Sequence, residues 1–399
     1  MLRKKYHELL AHLPKQEMTV LIGARQTGKS TLLRQIADAL IASGEAMVLL
    51  SLERKDVLLD LDRNPEHIFK YLPRQHEGRM FALIDEIQYL TDPTHFLKLL
   101  YDEHAHRLKI VATGSSAFYI DRQFKDSLAG RKKIFELQTL DFEEFLMFRN
   151  QAQELRELNR LRAGEIEKST AAPQLWAALE TYLIYGGYPA VVLEDDPKHR
   201  IERLQELKDS FVKRDMLESG ITDETKFYRF MMLLAAQVGN LINIQELSNT
   251  LQIPRSAADH FLYVLQKCFH LSLARPFFQN LRKELVKMPK GYFQDLGLRN
   301  ALINYFAPLE QRPDKGALLE NYVFRRLTEQ YATHQIKFWR TADGNEVDFV
   351  VEENAFGGKA VEVKFNPKEA NLNKYQKFTS AYPQYPLSFQ SWGETPLLL

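Results

Sequence analysis

Short apolar runs alternate with amphipathic segments along the first 150 residues of the chain. Runs of this length are typical of buried strands, and apolar positions at helical spacing, as at Leu32, Leu33 and Ile36, indicate helices. The pattern predicts strands at residues 18–22, 46–51, 79–84, 108–113 and 133–137, and helices at residues 2–12, 31–41, 57–76, 92–106 and 117–129. Alternating strands and helices favour a parallel sheet covered on both faces, so we expect a three-layer α/β domain over residues 1–150.

The pattern changes after this domain. Residues 151–170 are strongly polar and predict an exposed helix followed by a linker. Helical spacing then continues, so we expect a linker and helical lid over residues 151–215. Gly186 and Gly187 precede a tyrosine and a proline, which predicts a helix end and a turn rather than part of a site.

Residues 216–310 predict a winged-helix domain. The pattern is a helix, a turn, a second helix that begins near Pro254, and two extended runs joined by a basic segment. Residues 311–399 combine one amphipathic helix with three strands, which predicts a C-terminal α/β domain; the strands are expected at residues 337–340, 345–351 and 359–364.

The chain has 399 residues, enough for two or three domains. It is 45% hydrophobic and 26% charged, which is typical of soluble globular proteins, and its net charge of +1 favours no partner by itself. The single cysteine, Cys268, excludes a disulfide within the chain and a cysteine-rich metal site. The start lacks a signal peptide and no run approaches about 20 apolar residues, so we expect a cytoplasmic protein without a membrane partner.

Residues 23–30 read G-x-x-x-x-G-K-S, the phosphate-binding P-loop, between a predicted strand and a predicted helix. Glycines let backbone N–H groups face an anion, and a helix N-terminus attracts negative charge. We expect Lys29 to contact the β- and γ-phosphates of a nucleotide and Ser30 to bind Mg²⁺. The predicted nucleotide-binding residues are Gly23, Ala24, Arg25, Gln26, Thr27, Gly28, Lys29, Ser30 and Thr31.

The third predicted strand ends in Asp85 and Glu86, the pattern of a Walker B motif. Asp85 would hold Mg²⁺, and Glu86 would orient and polarise the attacking water. A polar residue at the end of the fourth strand would lie beside the γ-phosphate. Spacing does not choose among Thr113, Ser115 and Ser116; we take Ser115 as a catalytic candidate, although it could equally cap the next helix.

Arg131 follows the helix predicted at residues 117–129. Some ring ATPases place an arginine here that reaches the γ-phosphate of a neighbouring subunit, and such fingers raise the rate by roughly 10³–10⁵-fold. A lone arginine is also typical of a solvated surface, and Lys132 is the nearby alternative. Arg131 is therefore a catalytic candidate that would act between subunits.

Four segments resemble the archaeal-type AAA ATPase family of prokaryotes: GARQTGKST at residues 23–31, LIDEIQ at 83–88, ATGSS at 112–116 and LAGR at 128–131. The strand and helices between the P-loop and the acidic pair also fit an NTPase with an added strand between its two Walker strands. The resemblance spans nearly the whole chain and implies an AAA+ fold, ATP as substrate and Mg²⁺ as cofactor. It further implies a ring or other homo-oligomer and a C-terminal domain of uncharacterised function.

A winged helix places the N-terminus of its second helix in a DNA major groove. The segment from residue 271 to residue 292 has five basic side chains against one acid, Glu284, which is typical of phosphate binding. Those five are Arg275, Arg282, Lys283, Lys287 and Lys290. Winged helices also bind proteins, and Asp259 disfavours DNA. The predicted DNA-binding residues are Arg255 and Ser256 on the helix and Arg282, Lys283 and Lys287 on the wing.

The C-terminal segment carries a constellation that resembles the PD-(D/E)xK nuclease fold, with Asp348 in one strand and Glu362 and Lys364 in the next. Residues two apart in a strand share a face, so Glu362 and Lys364 point together. Asp348 and Glu362 would hold Mg²⁺, Lys364 would position the water, and Glu320 could complete the set. Two alternatives stay open: a nuclease-like fold that serves only DNA binding or assembly, and alternating charges on a solvated sheet face.

These motifs predict an Mg²⁺-dependent AAA+ ATPase that binds DNA. Its ATP hydrolysis would be coupled to DNA remodelling, translocation or recognition of a DNA structure such as a branched junction. The first alternative is an ATP-gated, metal-dependent DNA nuclease of defence or repair. The second is a signalling switch whose nucleotide state controls binding to protein partners.

Overall fold

The computed structural model describes residues 1–73, 76–114, 128–278, 284 and 287–393. The chain divides into two compact units. The first comprises Met1–Thr139 and Lys267–Phe269, and the second comprises Leu140–Gln266 and His270–Leu399. The first unit ends close to the predicted boundary at residue 150, whereas the predicted boundaries at residues 215 and 310 fall inside the second unit.

The first unit alternates strands with helices. Its elements are α1 (Lys5–His12), β1 (Met18–Ile22), α2 (Lys29–Ala42), β2 (Met47–Ser51), α3 (Lys55–Arg63), β3 (Met80–Asp85), α4 (Pro93–His104), β4 (Leu108–Gly114) and β5 (Lys132–Glu136), with 3₁₀ turns at Pro65–Lys70 and Ile87–Tyr89. The predicted strands are confirmed, with ends that differ by at most one residue. The helix predicted at residues 117–129 lies largely outside the described residues.

The helix predicted over residues 57–76 is wrong in its second half. α3 ends at Arg63, Asn64 is extended (φ −156°, ψ 119°), and a 3₁₀ turn covers Pro65–Lys70. The proline explains the break because the residue before a proline is disfavoured in the α region. Asn64 Oδ1 then caps the turn by accepting from the Glu66 N–H at 2.9 Å.

The five strands form one parallel sheet in the order β2-β3-β4-β1-β5. β4 lies between β1 and β3, so one strand separates the two Walker strands in the sheet, whereas β2, which lies between them in the sequence, is an edge strand. Leu83 packs in the layer with α1 and α2, whereas its neighbours Ala82 and Ile84 pack in the layer with α3 and α4. Each buried Leu or Ile stabilises the fold by about 1.5–3 kcal/mol, so both layers secure the sheet.

The second unit mixes helices with a second sheet. Its helices are α5 (Phe142–Phe148), α6 (Ala152–Arg162), α7 (Ala172–Tyr185), α8 (Pro189–Val192), α9 (Pro197–Ser219), α10 (Glu224–Ala236), α11 (Ile244–Leu251), α12 (Arg255–Lys267), α13 (Leu296–Leu302), α14 (Lys315–Gln330) and α15 (Gln376–Ala381). Its strands are β6 (Leu271–Pro276), β7 (Lys290–Phe293), β8 (Ile336–Arg340), β9 (Glu346–Asn354), β10 (Gly357–Lys364) and β11 (Leu387–Ser391). Within the described part of the chain, no helix has the length and apolar character that a membrane crossing requires.

Helix, turn, helix and hairpin follow one another as expected, as α11, α12, β6 and β7. The hairpin, however, belongs to a six-stranded sheet of order β11-β10-β9-β8-β6-β7. β6 pairs antiparallel with β7 and parallel with β8, through Arg275 opposite Lys337 and Pro276 opposite Phe338. The segments predicted as a winged helix and as a C-terminal domain therefore share one sheet, and the winged-helix assignment stays a prediction.

The charged helix α6 is not simply exposed, as the sequence had indicated. Leu158 and Leu161 are buried in the core of the second unit, together with Leu175, Leu179 and Tyr182 of α7. The two leucines are three residues apart, which is the spacing of a helix face. The high charge of the other positions obscured this narrow apolar stripe.

Gly186 and Gly187 end α7 where the chain packs closely against its neighbours. A Cβ on Gly186 would lie 2.1 Å from Asp295 Oδ1, and a Cβ on Gly187 would lie 2.3 Å from the Leu140 carbonyl oxygen. The Gly187 N–H donates to Asp295 Oδ2 at 2.8 Å. The two glycines thus serve packing within the second unit.

Candidate nucleotide site and carboxylate cluster

The loop of residues 23–28 joins β1 to α2 in a backbone conformation that the P-loop glycines allow. Gly23 has φ +152°, and a Cβ there would lie 2.0 Å from the Leu137 carbonyl oxygen. Gln26 (φ 57°) and Gly28 (φ 96°) are also left-handed. α2 begins at Lys29, so the unpaired N–H groups of its first turn lie at this loop.

Lys29 lies inside the loop with only 4% of its surface exposed. Its Nζ donates to the carbonyl oxygens of Gly23 at 3.0 Å and Ala24 at 2.7 Å. Burial lowers the pKa of the Lys29 ammonium to about 8; the Glu86 and Asp85 carboxylates oppose this effect without contacting Lys29, and the Arg25 guanidinium adds to it. A buried cation held by neutral carbonyl groups gains from an anion, so the loop fits the phosphates of a nucleotide.

Asp85 and Glu86 follow β3 next to the end of β4, and Thr113 connects them. The Thr113 hydroxyl donates to Asp85 Oδ1 at 2.5 Å and accepts from the Glu86 N–H at 3.0 Å. Glu86 itself is left-handed (φ 61°), and the Gln88 amide donates to its carboxylate. The structure therefore places Thr113 at the acidic pair, while Ser115 and Ser116 lie outside the described residues.

A cleft of about 290 Å³ brings Ser30, Asp85 and Glu86 together. Its wall is completed by side chains that the sequence had not indicated, among them Arg34, Glu53 and Arg54. Arg34 could have been found because it lies four residues after Ser30, on the same face of α2. Glu53 and Arg54 follow β2, and only the strand order shows that this end lies beside β3.

Arg3 is a further residue at the P-loop that the sequence did not reveal. It is 7% exposed, and its guanidinium donates to the Thr27 carbonyl oxygen at 2.6 Å and to the Gln138 carbonyl oxygen at 2.9 Å. Thr27 in turn donates from its hydroxyl to the Ala24 carbonyl oxygen at 2.9 Å. Arg3 thus binds the outer side of the loop whose inner side would face the phosphates.

Arg131 lies at the amino edge of the sheet, opposite the P-loop. Lys132 begins β5 opposite Met18, and the Met18 N–H donates to the Arg131 carbonyl oxygen at 2.8 Å. Five-residue strands of about 3.3 Å per residue separate the two edges by roughly 15 Å. The Arg131 Nε forms an ion pair with Asp102 at 2.6 Å. A role at the nucleotide of its own subunit does not fit this position, and a role at a neighbour's nucleotide stays a prediction.

The second unit brings the nuclease-like residues together. The antiparallel register of β9 and β10, with Phe349 opposite Val361, sets Asp348 beside Glu362. The Asp348 N–H donates to Glu362 Oε2 at 3.2 Å, and Asp348 Oδ2 accepts from the Val363 N–H at 2.9 Å. Glu362 Oε1 accepts from Lys364 Nζ at 2.5 Å and from the Tyr375 hydroxyl at 2.7 Å.

Glu320 of α14 faces the same place, but its partner comes from the predicted wing. Lys290 Nζ lies 3.0 Å from Glu320, 2.5 Å from Glu346 and 3.7 Å from Asp348. The Tyr292 hydroxyl donates to Glu320 Oε1 at 2.6 Å. We call these four charged side chains, Lys290, Glu320, Glu346 and Asp348, the carboxylate cluster.

The charges of the carboxylate cluster depend on one another. Burial raises the pKa of Glu320, with the Asp348 carboxylate adding to the effect, and burial likewise raises the pKa of Asp348. Burial opposes the charge on Lys290, but the Glu320, Asp348 and Glu346 carboxylates outweigh it and raise the pKa of the Lys290 ammonium above its ordinary value. Lys290 is therefore a firmly charged, buried cation.

The prediction that the basic wing contacts DNA phosphates is wrong at Lys290. Lys290 is 2% exposed and contacts carboxylates, so it cannot reach DNA phosphates. Glu284, the one acid of the segment, pairs with Lys337 at 2.8 Å. Lys287 and Arg275 are exposed, whereas Arg282 and Lys283 lie outside the described residues. On α12, Arg255 and Ser256 are exposed in the first turn, and Arg255 lies 3.8 Å from Asp259.

Three described side chains of the kinds that bind metals form a group whose donor atoms lie within 4.8 Å of one another. They are Glu66, Glu103 and His104. His104 Nε2 lies 2.9 Å from Glu66, and the Arg107 guanidinium lies 3.2 Å from His104 Nδ1. A guanidinium only donates, so Nδ1 accepts and Nε2 carries the hydrogen. The ring nitrogen that faces the glutamates is thus a donor to them and does not suit a metal.

Family models match three consecutive parts of the chain. The AAA domain matches residues 15–146, which include the P-loop, the acidic pair and Thr113. Two domains of unknown function match residues 177–309 (DUF8612) and 315–391 (DUF4143). The first unit has the fold of an AAA-type P-loop ATPase. The DUF4143 model covers Glu320, Glu346 and Asp348 of the carboxylate cluster, and its description assigns no function.

Two relatives resemble the chain over most of its length. An uncharacterised protein of Haemophilus influenzae is 28% identical over 347 residues, which cover 84% of this chain and 79% of that protein. An uncharacterised protein of Methanocaldococcus jannaschii is 26% identical over 371 residues, which cover 90% of this chain and 78% of that protein.

Similar solved structures include a Walker-type ATPase of Pyrococcus abyssi and the RuvB Holliday junction branch migration motor of Thermotoga maritima. The first is 16% identical and covers 75% of this chain and 95% of that chain, with a TM-score of 0.48. The second is 17% identical and covers 71% of this chain and 95% of that chain, with a TM-score of 0.34.

Proposed function

We propose that the protein is an Mg²⁺-dependent ATPase whose catalytic residues lie at the carboxyl edge of the five-stranded sheet. The observation that carries the proposal is the cleft in which Ser30, Asp85 and Glu86 meet beside the P-loop. Bound Mg²⁺ would neutralise charge on the phosphates, and Ser30 and Asp85 would hold it. Lys29 would bind the phosphates through its ammonium group.

Glu86 would accept hydrogen bonds from the attacking water and polarise it. Thr113 supports both acids, because its hydroxyl donates to Asp85 and accepts from the Glu86 N–H. The Gln88 amide restrains the Glu86 carboxylate from the other side. The chain thus fixes the acids by hydrogen bonds, and the water that reacts would be oriented by a residue with restricted freedom.

Glu86→Gln tests this assignment. We expect ATP binding to persist and hydrolysis to fall by about 10²–10⁴-fold, since the amide cannot accept the proton. Glu53→Gln is the matched control, because Glu53 lines the same cleft after a neighbouring strand. Hydrolysis that is unchanged in Glu86→Gln but lost in Glu53→Gln would reassign the base.

We propose further that hydrolysis is coupled to DNA and that the ATPase acts as an oligomer. The exposed Arg255 and Ser256 at the start of α12, with Arg275 and Lys287 near the hairpin, support a DNA contact. The ATPase rate should be measured without DNA and with duplex, single-stranded and branched DNA. A rate that rises with one of these, and DNA binding that weakens steeply with salt, would support coupling.

Substitutions of basic residues test where the protein contacts DNA. Arg282→Ala combined with Lys283→Ala should weaken DNA binding roughly uniformly across sequences, and Arg255→Ala should add to the loss. Lys198→Ala, in α9, serves as a control for loss of charge alone. DNA binding with a salt slope near zero, or no DNA binding, would instead favour a signalling switch that binds proteins.

The alternative function is an ATP-gated metal-dependent nuclease. Asp348, Glu362 and Lys364 lie together in β9 and β10, as the nuclease-like pattern requires, but the Lys290 ammonium lies 3.7 Å from Asp348 and so opposes a metal ion there. DNA should be incubated with the protein, ATP, and Mg²⁺ or Mn²⁺, beside Glu362→Ala. Cleavage that depends on the metal and disappears in the variant would establish this function, and its absence would leave the ATPase proposal unaffected.

A further inference from the structure

Lys290 is the most buried cation at the nuclease-like residues. It begins β7, and its side chain is 3% exposed. Three carboxylates surround its ammonium group: Glu320 from α14 at 3.0 Å, and Glu346 and Asp348 from β9 at 2.5 and 3.7 Å. One lysine therefore joins the edge strand of the sheet to a helix and to a strand deeper in the sheet.

The carboxylate of Glu362, next to the cluster, is also satisfied by groups of the chain. Both oxygens of Glu362 accept hydrogen bonds, Oε1 from Lys364 and Tyr375 and Oε2 from the Asp348 N–H. Asp348 Oδ2 accepts from the Val363 N–H, and its Oδ1 faces Lys290. Each oxygen of the two predicted metal ligands thus has a protein donor or cation close to it.

A divalent metal ion bound by the nuclease-like residues would need the position that the Lys290 ammonium occupies. Mg²⁺ binds carboxylate oxygens at about 2.0–2.1 Å and Mn²⁺ favours similar oxygen ligands, so either ion would compete with Lys290 for Glu320 and Asp348. An ammonium group and a divalent cation that share carboxylates repel each other at short range. The residues present therefore do not fit the metal that a nuclease-like site implies.

We propose that the Lys290 ammonium is the resident cation of the carboxylate cluster, and that it holds Glu320, Glu346 and Asp348 together without a divalent metal. The cluster then fastens β7 to α14 and β9 rather than performing metal-dependent hydrolysis. Replacing Lys290 by a neutral side chain of similar length leaves Glu320 and Asp348 without the cation they share, whereas Glu346 keeps Arg340 at 3.2 Å. The donor atoms of the three carboxylates do not all lie within 4.8 Å of one another, so the change should cost stability without creating a metal site.

Lys290→Gln tests the proposal with Mn²⁺ as the probe, in the full-length protein without nucleotide. Wild type should bind no Mn²⁺ at this cluster, as measured by isothermal titration and by Mn²⁺ EPR, and Mn²⁺ should leave its Tm unchanged. Lys290→Gln should lower the Tm by roughly 10 °C, because a buried carboxylate group loses its counter-ion. It should bind no Mn²⁺ either, and added Mn²⁺ should not restore the Tm, because the donor atoms of the three carboxylates do not all lie within 4.8 Å of one another.

Two further variants make each outcome decisive. Asp348→Asn combined with Lys290→Gln should regain part of the lost Tm, because it removes one of the carboxylates that lost its cation. Glu320→Gln combined with Lys290→Gln should restore folding if the single variant unfolds, for the same reason, whereas Glu346 is still paired with Arg340.

Three results would overturn the proposal. The first is Mn²⁺ binding by wild type that Asp348→Asn abolishes. The second is a folded Lys290→Gln protein whose Tm equals that of wild type. The third is an unfolded Lys290→Gln protein that Glu320→Gln fails to restore. Since these measurements use no nucleotide, none of the three bears on ATP hydrolysis.

Discussion

Two buried lysines, one in each unit, have opposite surroundings. Lys29 donates to the neutral carbonyl groups of Gly23 and Ala24, and burial lowers the pKa of its ammonium to about 8. Lys290 contacts the carboxylates of the cluster, which raise the pKa of its ammonium. Both residues are almost fully buried, at 4% and 2% exposure, so burial alone does not distinguish them.

The difference shows how a binding site can be told from a structural ion pair. A buried cation without a carboxylate partner in contact is poorly stabilised until an anion arrives, and that property suits a phosphate site. A buried cation that already contacts several carboxylates has its charge balanced by the fold. The acids of the first unit, Asp85 and Glu86, are instead held by Thr113 and stay available at the cleft.

The largest expected effect comes from removing the first of these lysines. Lys29→Met should lower kcat/KM for ATP by at least about 10³-fold, because a preorganised charge at the phosphates is lost. Its Tm should not fall, since a poorly solvated charge is removed as well. ATPase assays and thermal unfolding check both parts, beside Lys290→Met, which should lose stability. A lower Tm in Lys29→Met would contradict the comparison.

A smaller effect is expected at the residue that holds the acids of the first unit. Thr113→Val removes the hydroxyl that donates to Asp85 and should lower kcat by about 10–100-fold, the usual cost of a lost hydrogen bond to a charged group. Thr113→Ser keeps the hydroxyl and should retain most of the activity. If both variants retain full activity, the acids are fixed by other contacts.

Arg3 should act on binding more than on turnover. Arg3→Ala removes the donor to the Thr27 carbonyl oxygen, so the loop loses its outer support and KM for ATP should rise about 5–10-fold while kcat changes little. Arg3→Lys can keep one of the two hydrogen bonds and should recover part of the affinity. If Arg3→Ala instead lowers both kcat and the Tm, and Arg3→Lys recovers neither, Arg3 has a purely structural role.

The last expected effect is a pH dependence of ATP affinity that depends on Lys29 alone. Below pH 8 the Lys29 ammonium is charged in the free protein, and above pH 8 the protein must take up a proton to bind ATP. ATP affinity should therefore be steady below pH 8 and fall by up to about tenfold per pH unit above it. Calorimetry at pH 9 in buffers of different ionisation enthalpy should detect the proton uptake. Lys29→Arg should lose this dependence.

Local patterns predicted the first unit well because its information is short-range. The strands, the P-loop and the acidic pair are each set by a few consecutive residues, and the strand and P-loop helix ends were placed within one or two positions. The helix predicted over residues 57–76 ends instead at Arg63, because Pro65 disfavours a helical conformation at Asn64. The second unit was harder, because its sheet joins β6 to β8, which are distant in the chain.

The sequence by itself determined which residues form the P-loop, since the spacing of Gly23, Gly28, Lys29 and Ser30 defines it. Only the tertiary structure decided which residues support or neutralise them. Thr113, Arg3 and Lys290 each owe their position to a contact with a residue at least 24 positions away. Such contacts depend on strand order and packing, which no local pattern encodes, and they are what distinguishes the open cleft from the balanced cluster.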